Sequence, residues 1–351
     1  MAEQTNPSSG IPVPAPERAS ATAPGTWPGT DHAEAVRTVR GELGDPHLPF
    51  LPELPDRGVG ADAVGRTSAL LVDLAVDVQP HGWRLVDRPG KDEQRARSLL
   101  ASDINVLADI AGAEDAQATT LKVQFVGPLT LAANLYLHNG ERSLLDYGAR
   151  RDIAESLAAG VGSHLQRLAA AVPDARIVVQ VDEPDIAAVM AGTIPTASGY
   201  RTLRSIAGEE VTGAWRLVVE ALKSAGAVET VISVPKIEAP IERILSAGAD
   251  GVAVPLKALT TRQWEQLAAA AEAGKRVWAG AMATDGPLPR TADIVNTIWR
   301  PWRQLGLPAS LLSGLRVTPA TGLAHLPPST AKEVLVRLTQ VADGLDQLAQ
   351  G

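Results

Sequence analysis

The chain of 351 residues contains no cysteine. That absence excludes disulfides, a thiolate nucleophile and every zinc or iron–sulfur site that needs a cysteinyl ligand. Histidine is scarce as well. The six are His32, His47, His81, His138, His164 and His325, and no two stand at the i, i+4 spacing of a helical metal pair. Lysine and arginine form no cluster, and with a net charge of -8 and a pI near 5.3 the chain lacks the basic surface that nucleic acid or an anionic membrane requires. No uninterrupted apolar run reaches the ~18–20 residues of a membrane span, and the N-terminus lacks the charged, apolar and small-residue order of a secretory signal. The expectation is a soluble, cytoplasmic protein. A Gly-x-Gly-x-x-Gly turn after a strand, a Walker-type phosphate loop and internal repeats are also missing.

What is present is enough apolar sequence, 45%, to bury a large core in one α/β barrel or two smaller domains. Residues 1–24 are rich in Pro, Ala, Ser and Thr, and this composition predicts a disordered tail. Asp31 with Glu34 fits an N-cap opening a helix. Pro49-Phe-Leu-Pro-Glu-Leu-Pro55 is apolar but proline-rich, a poor central strand by local rules. Trp83-Arg-Leu-Val86 reads as an excursion strand, and residues 92–110 as an amphipathic helix. Beyond them the pattern becomes regular. Strand-like runs at 121–126, 177–181, 228–234, 251–254, 276–279 and 315–317 alternate with helical stretches at 148–172, 209–225, 240–247, 261–273 and 291–305. Such alternation predicts a parallel sheet. Counting the Thr26 and Glu53 regions as the first two strands gives eight units, hence a single-domain TIM (β/α)8 barrel over residues 25–351. A doubly wound sheet is the runner-up.

The stretch Arg176-Ile-Val-Val-Gln-Val-Asp-Glu-Pro184 concentrates the chemistry. Ile177, Val178, Val179 and Val181 suit a strand covered on both faces, and Pro184 ends the ladder. Asp182 and Glu183 therefore fall at a strand's carboxyl end, where α/β proteins bind ligands. Capping of the helix predicted after Asp185 is the other role open to them.

Several blocks, taken in order, carry a family resemblance: Gly25-Thr-Trp-Pro-Gly-Thr30, Leu54-Pro-Asp-Arg-Gly-Val-Gly-Ala-Asp62, Gly82-Trp-Arg-Leu-Val-Asp-Arg-Pro-Gly90, Val126-Gly-Pro-Leu-Thr130, Gln180-Val-Asp-Glu-Pro184 and Thr318-Pro-Ala-Thr-Gly-Leu-Ala324. With them the chain resembles the catalytic C-terminal domain of cobalamin-independent methionine synthase, in the short single-domain form of actinobacteria. The resemblance implies a TIM barrel of the uroporphyrinogen decarboxylase and methionine synthase superfamily. It also implies methyl transfer from methyltetrahydrofolate to the homocysteine thiol. By position, Glu53 and Asp182 match carboxylates that take the substrate ammonium, with Glu183 in the same motif, while Thr26 and Trp27 match the loop whose backbone receives the substrate carboxylate. That chemistry is sound, since carboxylates bind ammonium and backbone N–H groups bind carboxylate.

The family's zinc turns the substrate thiol into a nucleophilic thiolate. Its ligands in the family are a His-x-Cys pair, a carboxylate and a second Cys. Those positions match Ser233, Pro235, Pro255 and Thr321 here, none of which is an expected zinc ligand. Near the family's catalytic histidine stands Thr284, followed by Asp285, which could act as an acid or simply belong to a turn. His325 is the one histidine placed to be considered as a ligand. The expected protein is thus methionine-synthase-like, binds a homocysteine- or methionine-like amino acid and possesses no zinc site, folate being the family's methyl donor. The alternatives are an inactive amino-acid-binding paralogue and a metal-free decarboxylase of the uroporphyrinogen type. The last needs arginines for an acidic ligand, and Arg57 and Arg66 are the early-loop candidates.

Overall fold

The computed structural model describes residues 18–114, 118–234 and 240–351, with only the backbone at Ala258. The strands are β1 (Ser20–Ala21), β2 (Ala75–Gln79), β3 (Gly82–Val86), β4 (Thr120–Val126), β5 (Arg176–Asp182), β6 (Glu229–Ser233), β7 (Gly251–Pro255), β8 (Arg276–Met282) and β9 (Leu315–Pro319). The helices are α1 (His32–Glu42), α2 (Ala63–Ser68), α3 (Lys91–Gly112), α4 (Pro128–Asn134), α5 (Tyr147–Ala171), α6 (Ile186–Ala191), α7 (Gly208–Ser224), α8 (Ile241–Ser246), α9 (Thr261–Glu272), α10 (Thr291–Gln304) and α11 (Pro328–Gln350).

Seven strands form one curled, all-parallel sheet in the order β1-β9-β8-β7-β6-β5-β4. From β4 to β9 each strand pairs with its successor in the chain. A doubly wound sheet reverses direction at a switch point, so this order removes that topology and leaves a TIM-like one. The segment 48–53, where Pro49 and Pro52 cannot donate to a ladder, is not a regular strand. It still bonds to both edges of the sheet. Leu48 N–H donates to Ala21 (2.9 Å), Leu51 N–H donates to Lys122 (2.9 Å), and Lys122 N–H donates to Pro49 (2.8 Å). The β2–β3 hairpin is antiparallel and lies outside the main sheet, which gives the Trp83 strand its partner.

Order begins earlier than composition predicts. Ser20 and Ala21 pair with Arg316 and Val317 of β9, and Thr22 N–H donates to Val317, so the chain from Arg18 to Pro24 belongs to the fold rather than to the tail. The rest of the predicted tail, residues 1–17, lies outside the described residues. Ala19 N–H and the Arg18 guanidinium anchor this start to Asp346 of α11.

The sheet's interior is filled at its amino end by Leu48, Val178, Val231, Ala253 and Trp278. Beside them the buried Glu229 accepts from Trp278 Nε1 (2.8 Å) and Arg316 Nη1 (3.1 Å), and the Arg316 guanidinium stacks over the indole. This packed end is the closed floor. Helices cover the outside through a continuous core that includes Leu107, Leu157, Trp215 and Leu338. At Gly160 of α5 a side chain is impossible, because a Cβ would lie 1.7 Å from the Leu70 carbonyl oxygen.

Candidate functional site

The carboxyl ends of the strands open onto a cavity of about 240 Å³. Its floor and one side carry Thr26, Glu53, Gln180, Asp182 and Ser233, and its remaining wall is mostly apolar, including Phe125, Val126, Ala253, Val254 and Pro255.

Thr26 and Glu53 are neighbours through the backbone. They form an isolated parallel bridge in which Trp27 N–H donates to Glu53 (2.7 Å) and Glu53 N–H to Gly25 (3.0 Å). The loop after β9 closes against them, with Leu323 N–H on the Thr26 carbonyl at 3.1 Å. Gly322 permits that approach, since a Cβ there would fall 1.9 Å from Thr26 Oγ1. Asp182 ends β5 on the same inward face as Gln180, two residues earlier, because side chains alternate along a strand. Gln180 Nε2 donates to Asp182 Oδ1 at 2.7 Å, and Ser233 at the end of β6 stands in register with Asp182.

A buried cation lies beneath. Lys122 of β4 is fully buried, and its Nζ donates to the Pro24 carbonyl (2.7 Å) and to Gln180 Oε1 (3.0 Å). Burial pushes the Asp182 carboxyl up to about 7, against the opposing pull of Lys122 and of the Gln180 hydrogen bond. Burial likewise lowers the Lys122 ammonium, against the attraction of Asp182 and Glu53. Glu53 is raised by burial too, partly offset by Arg66, whose Nε lies 3.8 Å from Glu53 Oε1. Arg66 is itself bound to Asp103, which also takes a bidentate pair from Arg57 at 2.8 and 2.7 Å. Burial works against ionisation of Asp103, but these guanidinium groups hold its carboxyl below the usual range.

The other residues named from sequence fall elsewhere. Glu183 is fully buried and does not line the cavity. Its carboxylate accepts from Leu129 N–H (3.1 Å), Thr130 N–H (2.8 Å), Thr130 Oγ1 (2.6 Å) and Trp215 Nε1 (2.9 Å), tying β5 to the first turn of α4 and to α7. Trp27 is buried against Phe50, with ring centroids 6.4 Å apart, and does not line the cavity either. Asp285 is exposed in the loop after β8. Thr284 and Thr321 share a hydrogen bond between their hydroxyls at 2.9 Å, and His325 Nε2 lies 3.3 Å from the Thr284 carbonyl. Ser233, Pro255 and Thr321 all line the cavity that holds Glu53 and Asp182. Pro235 lies outside the described residues.

Lys122 and Gln180 are the site residues that sequence reading overlooked. A signal was available: in Leu121-Lys-Val-Gln-Phe-Val126 and Ile177-Val-Val-Gln-Val-Asp182, polar residues at period two interrupt strands otherwise apolar on both faces.

A curled parallel sheet, closed at one end by packed side chains and carrying acids and hydroxyls at the carboxyl ends of its strands, defines a TIM-like α/β protein with a ligand cavity at the strand ends. The family model described as cobalamin-independent synthase, catalytic domain, matches residues 19–344. The chain belongs to that family.

Among solved structures, the fold is similar to that of a B12-independent methionine synthase from Shewanella sp. W3-18-1 in complex with selenomethionine. The identity is 16% and the TM-score 0.51, over 76% of this chain and 71% of that one. At this identity the likeness speaks for the fold alone. A beta-galactosidase from the psychrophilic Marinomonas ef1 matches at 11% identity and TM-score 0.30, over 73% of this chain and 43% of that one, too distant to carry an argument. No curated protein sequence matches the chain.

The family's zinc can be tried against the side chains present. Thr321 is engaged with Thr284, and the side chain of Pro255 has no donor atom. Among the described residues no three of His, Cys, Asp and Glu gather to hold a metal. Hydroxyl and proline side chains are not usual zinc ligands. Among the same residues, no helix is long and apolar enough to cross a membrane.

Proposed function

We propose that this chain binds an α-amino acid of the homocysteine and methionine class in the cavity at the strand ends. In this reading Glu53 and Asp182 receive the ammonium group, and the Thr26 loop receives the carboxylate. The observation that carries it is the convergence of Thr26, Glu53 and Asp182, distant in sequence, on one cavity whose opposite wall suits an apolar side chain. The selenomethionine held by the Shewanella protein supports an amino-acid ligand of this size. The segment 48–53 serves as the eighth stave of a (β/α)8 barrel, which is what brings Glu53 to the cavity.

This copy does not perform the family's zinc-dependent methyl transfer. Support comes from the residues at the ligand positions: two prolines, whose side chains offer no ligand atom, and two hydroxyls, of which that of Thr321 is already hydrogen-bonded to Thr284. A reading as a tetrapyrrole decarboxylase gains nothing, because Arg57 and Arg66 are both engaged with Asp103 and do not line the cavity.

The test is calorimetric titration with L-methionine and L-homocysteine, beside metal analysis of the purified protein and an assay with methyltetrahydrofolate and homocysteine. Amino-acid binding without stoichiometric zinc or turnover is expected. Stoichiometric zinc together with methionine formation would overturn the second half of the reading, and absence of amino-acid binding the first.

A further inference from the structure

The cation below the cavity has no place in the reading above. Lys122 is wholly buried, yet its Nζ makes no direct contact with either carboxylate within hydrogen-bonding range. It reaches Asp182 through an intermediary: Nζ donates to Gln180 Oε1 (3.0 Å), and the other end of the same amide, Gln180 Nε2, donates to Asp182 Oδ1 (2.7 Å). Both Lys122 Nζ (2.7 Å) and Gln180 Nε2 (2.9 Å) also converge on the Pro24 carbonyl, two residues before Thr26. One ammonium therefore fixes three parts of the cavity. It sets the amide orientation of Gln180, through it the position of the Asp182 carboxylate, and the path of the chain leading into Thr26.

The alternative is a lysine that merely fills the interior. A buried ammonium without a role is costly, and an apolar side chain of similar length would fill the space between Phe50 and Gln180 at lower cost. Approach through Gln180 also matters for a ligand. A lysine bonded directly to Asp182 would occupy the place an incoming ammonium needs, whereas an amide relay conveys polarity from the side and leaves the carboxylate facing the cavity.

We propose that Lys122 is a positioning residue of the amino-acid site: from beneath the cavity it orients Gln180 and, through that amide, aims the Asp182 carboxylate at the ligand's ammonium group. This rests on the proposed amino-acid site for its ligand, though not for its effect on Asp182. The groups that bear on Asp182 are few. Glu53 of the 48–53 segment raises its carboxyl, Gln180 lowers it through a hydrogen bond, and Ser233 of β6 beside it acts in the same direction. Arg66 of α2, backed by Asp103 of α3, acts on Glu53, and Arg316 of β9 acts on Lys122 from below.

The experiment follows the carboxyl of Asp182 directly. Protein labelled with 13C at aspartate carboxyl groups is titrated by NMR, the Asp182 signal being assigned by its loss in Asp182→Asn. Wild type is compared with Lys122→Met and with Lys122→Gln, which retains a donor for the Pro24 carbonyl while losing the charge. The titration midpoint of Asp182 is expected to move to higher pH by about 1 or more in both variants, and methionine affinity to fall about tenfold at pH 6–7 and recover towards pH 9, because each tenfold loss of the anion corresponds to a midpoint higher by about 1. A filler lysine would leave the midpoint in place. A folded Lys122 variant with an unmoved Asp182 midpoint overturns the proposal. Should neither Lys122 variant fold, the 13C signal of the Lys122 side chain in wild type is followed through the same titration: a shift at the Asp182 midpoint that is absent from Asp182→Asn supports the proposal, and a lysine signal indifferent to Asp182 overturns it. Wild-type protein without amino-acid affinity would remove the functional reading, while the midpoint of Asp182 would still decide the role of Lys122.

Discussion

At the scale of single residues, the two acids of the Asp-Glu-Pro sequence divide their work. Asp182 faces the cavity, whereas Glu183 points the other way and satisfies four buried donors. Glu53→Ala or Asp182→Ala should weaken methionine binding by about 1.5–3 kcal/mol, the worth of a hydrogen bond to a charged group. Calorimetry showing unchanged affinity in both variants contradicts the site. Glu183→Ala should instead cost about 3 kcal/mol or more of stability in urea unfolding, because it strands the Leu129, Thr130 and Trp215 donors, and should leave the affinity of the folded protein unchanged. A fall in affinity with no loss of stability would reverse that assignment. Sequence alone could not separate the two acids. They are adjacent and share their neighbours, and only the strand's alternation decides which one faces inward. Thr26, Glu53 and Asp182 were legible through their motifs, while Lys122 and Gln180 were hidden because a buried polar residue in a strand reveals its partners only in three dimensions.

Among the elements, the runs of β-branched residues and the helical stretches between them were legible to within a few residues, from β4 to β9 and from α5 to α10. Their bounds follow from local chemistry. Thr260 and Gln263, for example, form a reciprocal capping box that starts α9. The amino-terminal part was less legible. β1 has two residues of alanine-rich sequence and is a strand because β9 offers it an edge, and the 48–53 segment pairs through tertiary bonds despite its prolines. On α5, burial lowers His164 to about 3, and its Nδ1 has no hydrogen-bond partner among the described residues. A histidine kept neutral in the fold but free to protonate when unfolded gives stability that is complete above pH 6.5 and is lost as pH falls towards 3. The slope is about 1.4 kcal/mol per pH unit. Urea unfolding of wild type and His164→Leu at pH 7 and pH 5 should therefore show wild type losing roughly 2 kcal/mol more than the variant. Equal losses in the two proteins contradict a buried neutral imidazole.

For the whole molecule, the curled sheet explains how residues more than a hundred positions apart reach one cavity, and why one end of the interior is packed while the other is open. Family membership sets the inherited plan. Ser233, in register with Asp182, and Thr321, paired to Thr284, line the cavity that this plan provides. The account accordingly predicts a protein whose amino-acid affinity owes nothing to metal. The most direct measurement is a calorimetric titration of L-methionine into wild-type protein dialysed exhaustively against a chelator, repeated after zinc is restored. One methionine per chain, bound with the same affinity in both titrations, is the predicted result. Binding that appears only once zinc is restored, or no binding in either titration, contradicts it.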